Sequence, residues 1–209
     1  MRNILERLEK QLKQQFPDIL ENINPAAAPT QLEDFEAAIK QRLPDDVRAL
    51  YSWRNGSISP EINMDEYITK RFLLINQTRW CSLSEALNQW HLQNEVGFVD
   101  SEYFFTVEED PVSWHSEKIR PWTAPPPTWL PVGRRWWNSW LYVDLLPGPQ
   151  GCVGQLVQHT TAMGQEVIAP SISAYFSDFL DALENKKLNY DLINHRWYVV
   201  ATAQDYKCA

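Results

Sequence analysis

The chain is 209 residues long and carries 27 acidic against 19 basic side chains, a net charge of −8 with an isoelectric point near 5.0. A phosphate backbone is held mainly by Lys and Arg, so this balance argues against generic nucleic-acid binding. A hydrophobic fraction of 44%, with ten Trp and eight each of Phe and Tyr, excludes a disordered chain and can fill a sizeable core at a length that suits one domain with extensions.

No stretch approaches the ~18 consecutive apolar residues of a membrane span, and the opening MRNILERLEKQLKQQF lacks the apolar core of a secretory signal. The expected compartment is therefore the cytoplasm, with no membrane partner. Cys81, Cys152 and Cys208 are odd in number and widely spaced, which predicts free thiols rather than a disulfide or metal framework.

In residues 2 to 15, Ile4, Leu5, Leu8 and Leu12 share one helical face with charged residues between them, so this segment is an amphipathic helix that needs a surface to cover it. The run PAAAP at 25 to 29 is a turn or linker. Thr30 and Glu33 have the spacing of a capping box for a helix through about Lys40. Pro44 suits the first turn of a second helix, DDVRALYSWRN, whose positive end favours Asp45 and Asp46 and which Asn55-Gly56 ends.

Phe72 to Ile75 read as a strand, and Ser82 with Glu85 as a capping box for a helix through about Gln93. Residues 95 to 128 read as irregular, with PPP at 125 to 127 barred from a helix or central strand. Trp140 to Leu146 and Cys152 to His159 are rich in β-formers and flank PGPQG, which predicts a hairpin with a loop of about five residues. Ser171 caps the last strong helix, whose apolar positions are Ile172, Tyr175, Phe176, Phe179, Leu180 and Leu183. The tail RWYVVATA is an edge strand or a helix extension.

The acidity is localised. From Trp80 to Glu117 there is no Lys or Arg, whereas Glu85, Glu95, Asp100, Glu102, Glu108, Glu109, Asp110 and Glu117 carry eight negative charges, leaving 19 acids against 19 bases elsewhere. Interleaved with Phe98, Tyr103, Phe104, Phe105 and Trp114, the segment is either a dock for a basic protein partner or a solvated acidic loop. Six of the ten Trp lie between Trp114 and Trp140. Trp129, beside Leu130-Pro131-Val132, belongs in the core. Trp136 and Trp137, in an apparent loop before a strand, are either buried or an exposed part of a binding surface.

Motifs for catalysis are missing. His91, His115, His159 and His195 lie far apart, and there is no HExxH pair, Walker A sequence, GxGxxG or GxSxG elbow. His115-Ser116-Glu117 fits half of a zinc deaminase signature without its P-C-x-x-C partner, and Gly148, Gly151 and Gly154 recur every third residue in a turn rather than a phosphate cradle. These observations nominate no catalytic residue, metal ligand or cofactor.

Three ordered segments resemble the SUKH superfamily, the Smi/Knr-type group of fungal cell-wall-assembly regulators and their bacterial relatives. In LPDDVRALYSWRNGS the matching residues are Leu43, Pro44, Leu50, Tyr51, Asn55 and Gly56. In WLPVGRRWWNSWLYVDLLPGPQGCVGQLVQH they are Trp129, Pro131, Asp144, Pro147, Gly151, Gly154 and Gln155, and in IAPSISAYFSDFLDAL they are Ser171, Phe179 and Leu180. The chain departs where relatives have a small Gly- and Asp-rich turn and it has RRWWNSW. The matched residues read as structural: Asn55-Gly56 as a helix stop, Gly151 and Gly154 as turns or close approaches, and Pro131 as an edge or kink.

The resemblance implies a single α+β domain with helices packed on a mixed or antiparallel sheet. The expected layout is an N-terminal helix and linker over 1–29, the domain over 30–189, and a C-terminal extension over 190–209. It implies a non-catalytic protein-binding role, most naturally that of an immunity-type protein that neutralises a toxin, and the acidic, aromatic segment adds the expectation that the toxin domain is basic. A regulatory scaffold with an endogenous partner is the alternative, and a carbohydrate or small-molecule binder using the tryptophans a third. The expected partner-binding residues are Glu95, Asp100, Glu102, Tyr103, Phe105, Glu108, Glu109, Asp110, Trp114, Trp136 and Trp137.

Overall fold

The computed structural model describes residues 1–58, 78–95, 117–120, 127–136, 139–160, 164–191 and 196–199, with backbone alone for 18, 95, 136, 189–191 and 196–199. The described elements, in chain order, are α1 (Arg2–Gln15), α2 (Pro17–Glu21), α3 (Pro29–Ile39), α4 (Asp45–Trp53), β1 (Arg79–Trp80), α5 (Leu83–Glu95), β2 (Trp129–Trp136), β3 (Ser139–Asp144), β4 (Gln155–Thr160), β5 (Gly164–Ala169), α6 (Ile172–Glu184), β6 (Leu188–Asp191) and β7 (Arg196–Val199). The expected strand at Phe72 to Ile75 lies outside the described residues.

The apolar stripe of α1 is covered within the chain. Leu5, Leu8 and Leu12 are buried, with α6 as the main neighbour of α1. At ~1.5–3 kcal/mol per buried leucine side chain, this contact holds the helix where propensity alone would leave it marginal. Two polar ties fix its position: Arg7 pairs with Glu184, and Glu9 accepts from Trp53 Nε1 at 2.6 Å and Arg54 Nη2 at 3.0 Å.

The helix expected from Thr30 begins earlier. Pro29 occupies its first turn, where its fixed φ is already helical, and Gln31 Oε1 accepts from Ala28 N at 2.8 Å, so Thr30 lies inside the helix rather than capping it. The linker ahead of it is tied down by Ala27 N to Tyr51 O at 2.9 Å. The capping box of α5 forms as its spacing predicts, with Glu85 Oε2 accepting from Ser82 N at 2.9 Å and Ser82 Oγ from Glu85 N at 3.3 Å. Ser171 Oγ caps α6 by accepting from Ala174 N at 3.0 Å, and all six expected apolar positions of that helix are buried.

The main sheet has the order β1-β2-β3-β4-β5 and is antiparallel throughout. Helices cover one face, where Leu130, Val132, Leu141, Val143 and Leu156 join the helical core. On the other face Trp129, Tyr142 and Val157 form a smaller cluster with Ile119. Strands β3 and β4 therefore carry apolar residues on both faces, the pattern of a sheet covered on two sides.

Two strand expectations change. The β3–β4 connection spans 145–154, ten residues rather than about five, because the ladder ends at the pair Asp144–Gln155 and the chain beyond is held by other contacts. Arg135 and Trp136, read as a loop, belong to β2, which pairs with β3 through Trp136↔Ser139. Pro131 is tolerated in β2 because a bulge separates Pro131 from Gly133 and the two-residue β1 pairs only with Gly133 and Arg134. In the tail, β6 and β7 pair as a separate two-stranded sheet, which settles the strand alternative for RWYV.

Candidate functional site

Asp144 and Gln155 close the β3–β4 ladder and organise the loop beyond it. Gln155 Nε2 donates to Asp144 Oδ2 at 2.9 Å and Lys118 O at 2.8 Å, while its Oε1 accepts from Cys152 N at 3.2 Å. Asp144 Oδ1 accepts from Leu146 N at 3.0 Å, and its backbone oxygen from Gly154 N at 2.8 Å. Burial pushes the Asp144 carboxyl up from its ordinary value, against the Gln155 amide and the Leu146 N–H, which favour the charge. Gly151 lies so close to residue 118 that a Cβ would sit 2.3 Å from Lys118 O, so only glycine fits.

The two ends of α4 are joints of the fold. At its N-terminus Asp46 Oδ1 accepts from Val47 N and Oδ2 from Ser173 N, each at 2.9 Å, so one carboxylate serves the first turns of both α4 and α6. At its C-terminus Arg54 is extended rather than left-handed, so Asn55-Gly56 is more than a helix stop. Asn55 Oδ1 accepts from Leu83 N at 2.9 Å, on the first turn of α5, while Gly56 at φ +75° lies against the Cys81–Ser82 backbone.

The face of the sheet away from the helices is the candidate binding surface. At one end it is sealed by Trp129, Tyr142, Val157 and Ile119, with the Trp129 and Tyr142 rings 5.4 Å apart. At the other end Arg134, Trp140, His159 and Gln165 form one cross-strand row, with the Arg134 guanidinium 5.4 Å from the Trp140 ring centroid. Arg134, Trp140 and Gln165 are half-buried, whereas His159 is buried and its imidazole is pushed down to about 4 by desolvation. The stacked cation and aromatic ring tie β2 to β3 across this row. The sequence signal was the mixture of apolar and aromatic residues on both parities of SWLYVD and QLVQHT, but nothing in it paired Arg134 with Trp140.

Of the expected partner-binding residues, Asp100, Glu102, Tyr103, Phe105, Glu108, Glu109, Asp110, Trp114 and Trp137 lie outside the described residues. Glu95 ends α5 and Trp136 ends β2, and only their backbones are described. The motif residues Leu43, Tyr51, Trp129, Asp144 and Gln155 are buried, and Trp129 is fully in the core as expected. Pro44 meets Gly154, where a Cβ would lie 3.4 Å from Pro44 Cγ. Cys81 is a buried free thiol pushed up to about 12 by burial, unsuited to thiolate chemistry, and Cys152 is an exposed free thiol. Among the described residues no group of three His, Cys, Asp or Glu side chains is placed to hold a metal ion, and no helix is long and apolar enough to cross a membrane.

These joints and this sheet define an α+β domain whose five-stranded antiparallel main sheet has helices on one face, built around an LP–NG helix and a D…GxxGQ hairpin. A family model described as the SMI1 / KNR4 family (SUKH-1) matches residues 26–181, and the chain belongs to that family. No match to a curated protein was found.

Proposed function

We propose that this chain is a non-catalytic protein-binding module of the immunity type, which neutralises a toxin in the cytoplasm by direct contact with its basic domain. The observation that carries the reading is the localisation of charge: eight acids and no base between Trp80 and Glu117 in a chain otherwise balanced at 19 against 19. Family membership supports a binding role at the coarser level. Aromatic residues within the acidic run supply anchors, and a single-sign field speeds encounter with a basic partner and makes it salt-sensitive.

The test uses the tagged chain as bait in a lysate of its source at low and high salt, with proteins identified by mass spectrometry, followed by affinity measurement. Capture of a basic toxin-like protein that is lost at high salt, and weakened by Glu108→Lys, Glu109→Lys and Asp110→Lys together, is the expected result. Unchanged affinity in the triple variant would place the contact elsewhere. Recovery of signalling proteins alone would favour the regulatory scaffold.

A further inference from the structure

The two edges of the main sheet are treated differently. At the β1 edge the chain closes on itself: Ser57 N donates to Trp80 O at 2.8 Å, and Ile23 bridges Ser57 in turn. At the opposite edge, β5 pairs with β4 alone, and among the described residues no backbone hydrogen bond beyond that ladder involves 164–169. An edge without a further strand is a template for one unless it is blunted by proline, charge, a bulge or a covering segment. β5 bulges at Ile168, between Val167 and Ala169, and its regular edge over 164–167 has no proline or lysine, only the exposed carboxylate of Glu166.

The side-chain rows crossing the sheet specify what would extend it. On one face Arg135 hydrogen-bonds Gln158, which stands opposite Glu166, so the next position outward in this polar row faces a carboxylate. On the other face Tyr142, Val157 and Val167 form an apolar row. We propose that the β5 edge is a docking site for an extended strand of a basic partner protein, added antiparallel with a Lys or Arg opposite Glu166 and an apolar residue opposite Val167. Cross-strand pairs of these kinds stabilise sheets, and added strands draw affinity from backbone bonds and selectivity from alternate side chains. A second copy fits less well. Antiparallel self-pairing that keeps the helices on one side sets Glu166 against Glu166 when centred on that residue, or against Ile168 when centred on Val167.

The proposal uses no residue of the acidic segment, so charge reversal at Glu108, Glu109 and Asp110 does not test it. The test titrates isotopically labelled full-length protein with the capped peptide Thr-Thr-Val-Lys-Thr-Thr, following backbone amides by NMR and hydrogen exchange. Shifts confined to β4 and β5, with new exchange protection in 164–169, are expected. A peptide with Glu in place of Lys should bind roughly two- to fivefold more weakly, the worth of one cross-strand charge pair, and Glu166→Lys should reverse that preference. An N-methylated peptide should not bind. Absence of shifts, shifts centred elsewhere, indifference to the charge swap, or a free protein already dimeric through β5 would each overturn the proposal.

Discussion

Asp144 and Gln155 face each other across the β3–β4 ladder with Oδ2 and Nε2 2.9 Å apart, both side chains at 1% exposure or less. Replacing Gln155 by Leu strands the buried Asp144 Oδ2 and also removes the partner of Cys152 N–H and one of the two donors to Lys118 C=O, both on exposed residues. The expected loss is about 3 kcal/mol in urea unfolding with an unchanged m-value, because unsatisfied buried groups cost more than a hydrogen bond contributes. The pH dependence is separable. Since the folded Asp144 carboxyl is raised, its favourable contribution is present at acid pH and is lost as pH rises through the folded value. The stability of the wild type relative to Asp144→Asn should therefore improve as pH falls through the carboxylate range, and a gap independent of pH would refute this placement.

Two glycines with positive φ should respond unequally to alanine. At Gly56, with φ +75°, a Cβ would sit 2.4 Å from both Cys81 C and Ser82 N, backbone atoms that cannot move aside. At Gly154, with φ +89°, the nearest atom is Pro44 Cγ at 3.4 Å. Gly154→Ala is expected to cost about 1 kcal/mol from backbone strain, and Gly56→Ala roughly 3 kcal/mol or more, measured by chemical denaturation. Equal costs would show that the Gly56 contact is not the cause.

The adjacent acids Asp45 and Asp46 should not behave alike. Asp46 accepts from Ser173 N at 2.9 Å, whereas the Asp45 side chain is 91% exposed and meets Arg42 at 3.4 Å. Asp46→Ala should lower stability by about 1 kcal/mol and speed amide exchange at Ser173, while Asp45→Ala should cost roughly 0.3 kcal/mol and leave Ser173 exchange unchanged.

His159 makes a prediction at mild acid pH. Its folded value is pushed down to about 4 from an ordinary 6.5, so the unfolded chain binds the proton first. Stability should fall as pH drops from about 6.5 towards 4 and then level off for this group, a loss on the order of 3 kcal/mol for a buried imidazole. In His159→Gln this component should vanish, and a difference between variant and wild type that is flat with pH would contradict it.

How much of this was legible in the sequence follows from the range of each interaction. The Ser82–Glu85 box, the Ser171 cap and the six buried positions of α6 were readable because capping and amphipathic periodicity act over one to three turns. α3 starts before the Thr30-x-x-Glu33 signal because Ala28 offers no capping side chain and Gln31 Oε1 accepts from Ala28 N instead, a bond the capping-box pattern does not mark. The hairpin was recognised, but its loop was halved, since its length depends on contacts with 117–120 rather than on PGPQG itself.

By itself the sequence determined the α+β class, the principal described helices, the β3–β4 pairing and the family, because local patterns and an ordered set of motifs carry that information. Only the tertiary structure decided that Asp46 serves two helices, that Asn55-Gly56 joins α4 to α5, that Arg134 stacks on Trp140, and that β5 is the last described strand of the main sheet. These are relations between residues separated by up to 127 positions. Neither partner's local sequence encodes the other, and only the packing of helices and strands around a shared core brings them into contact.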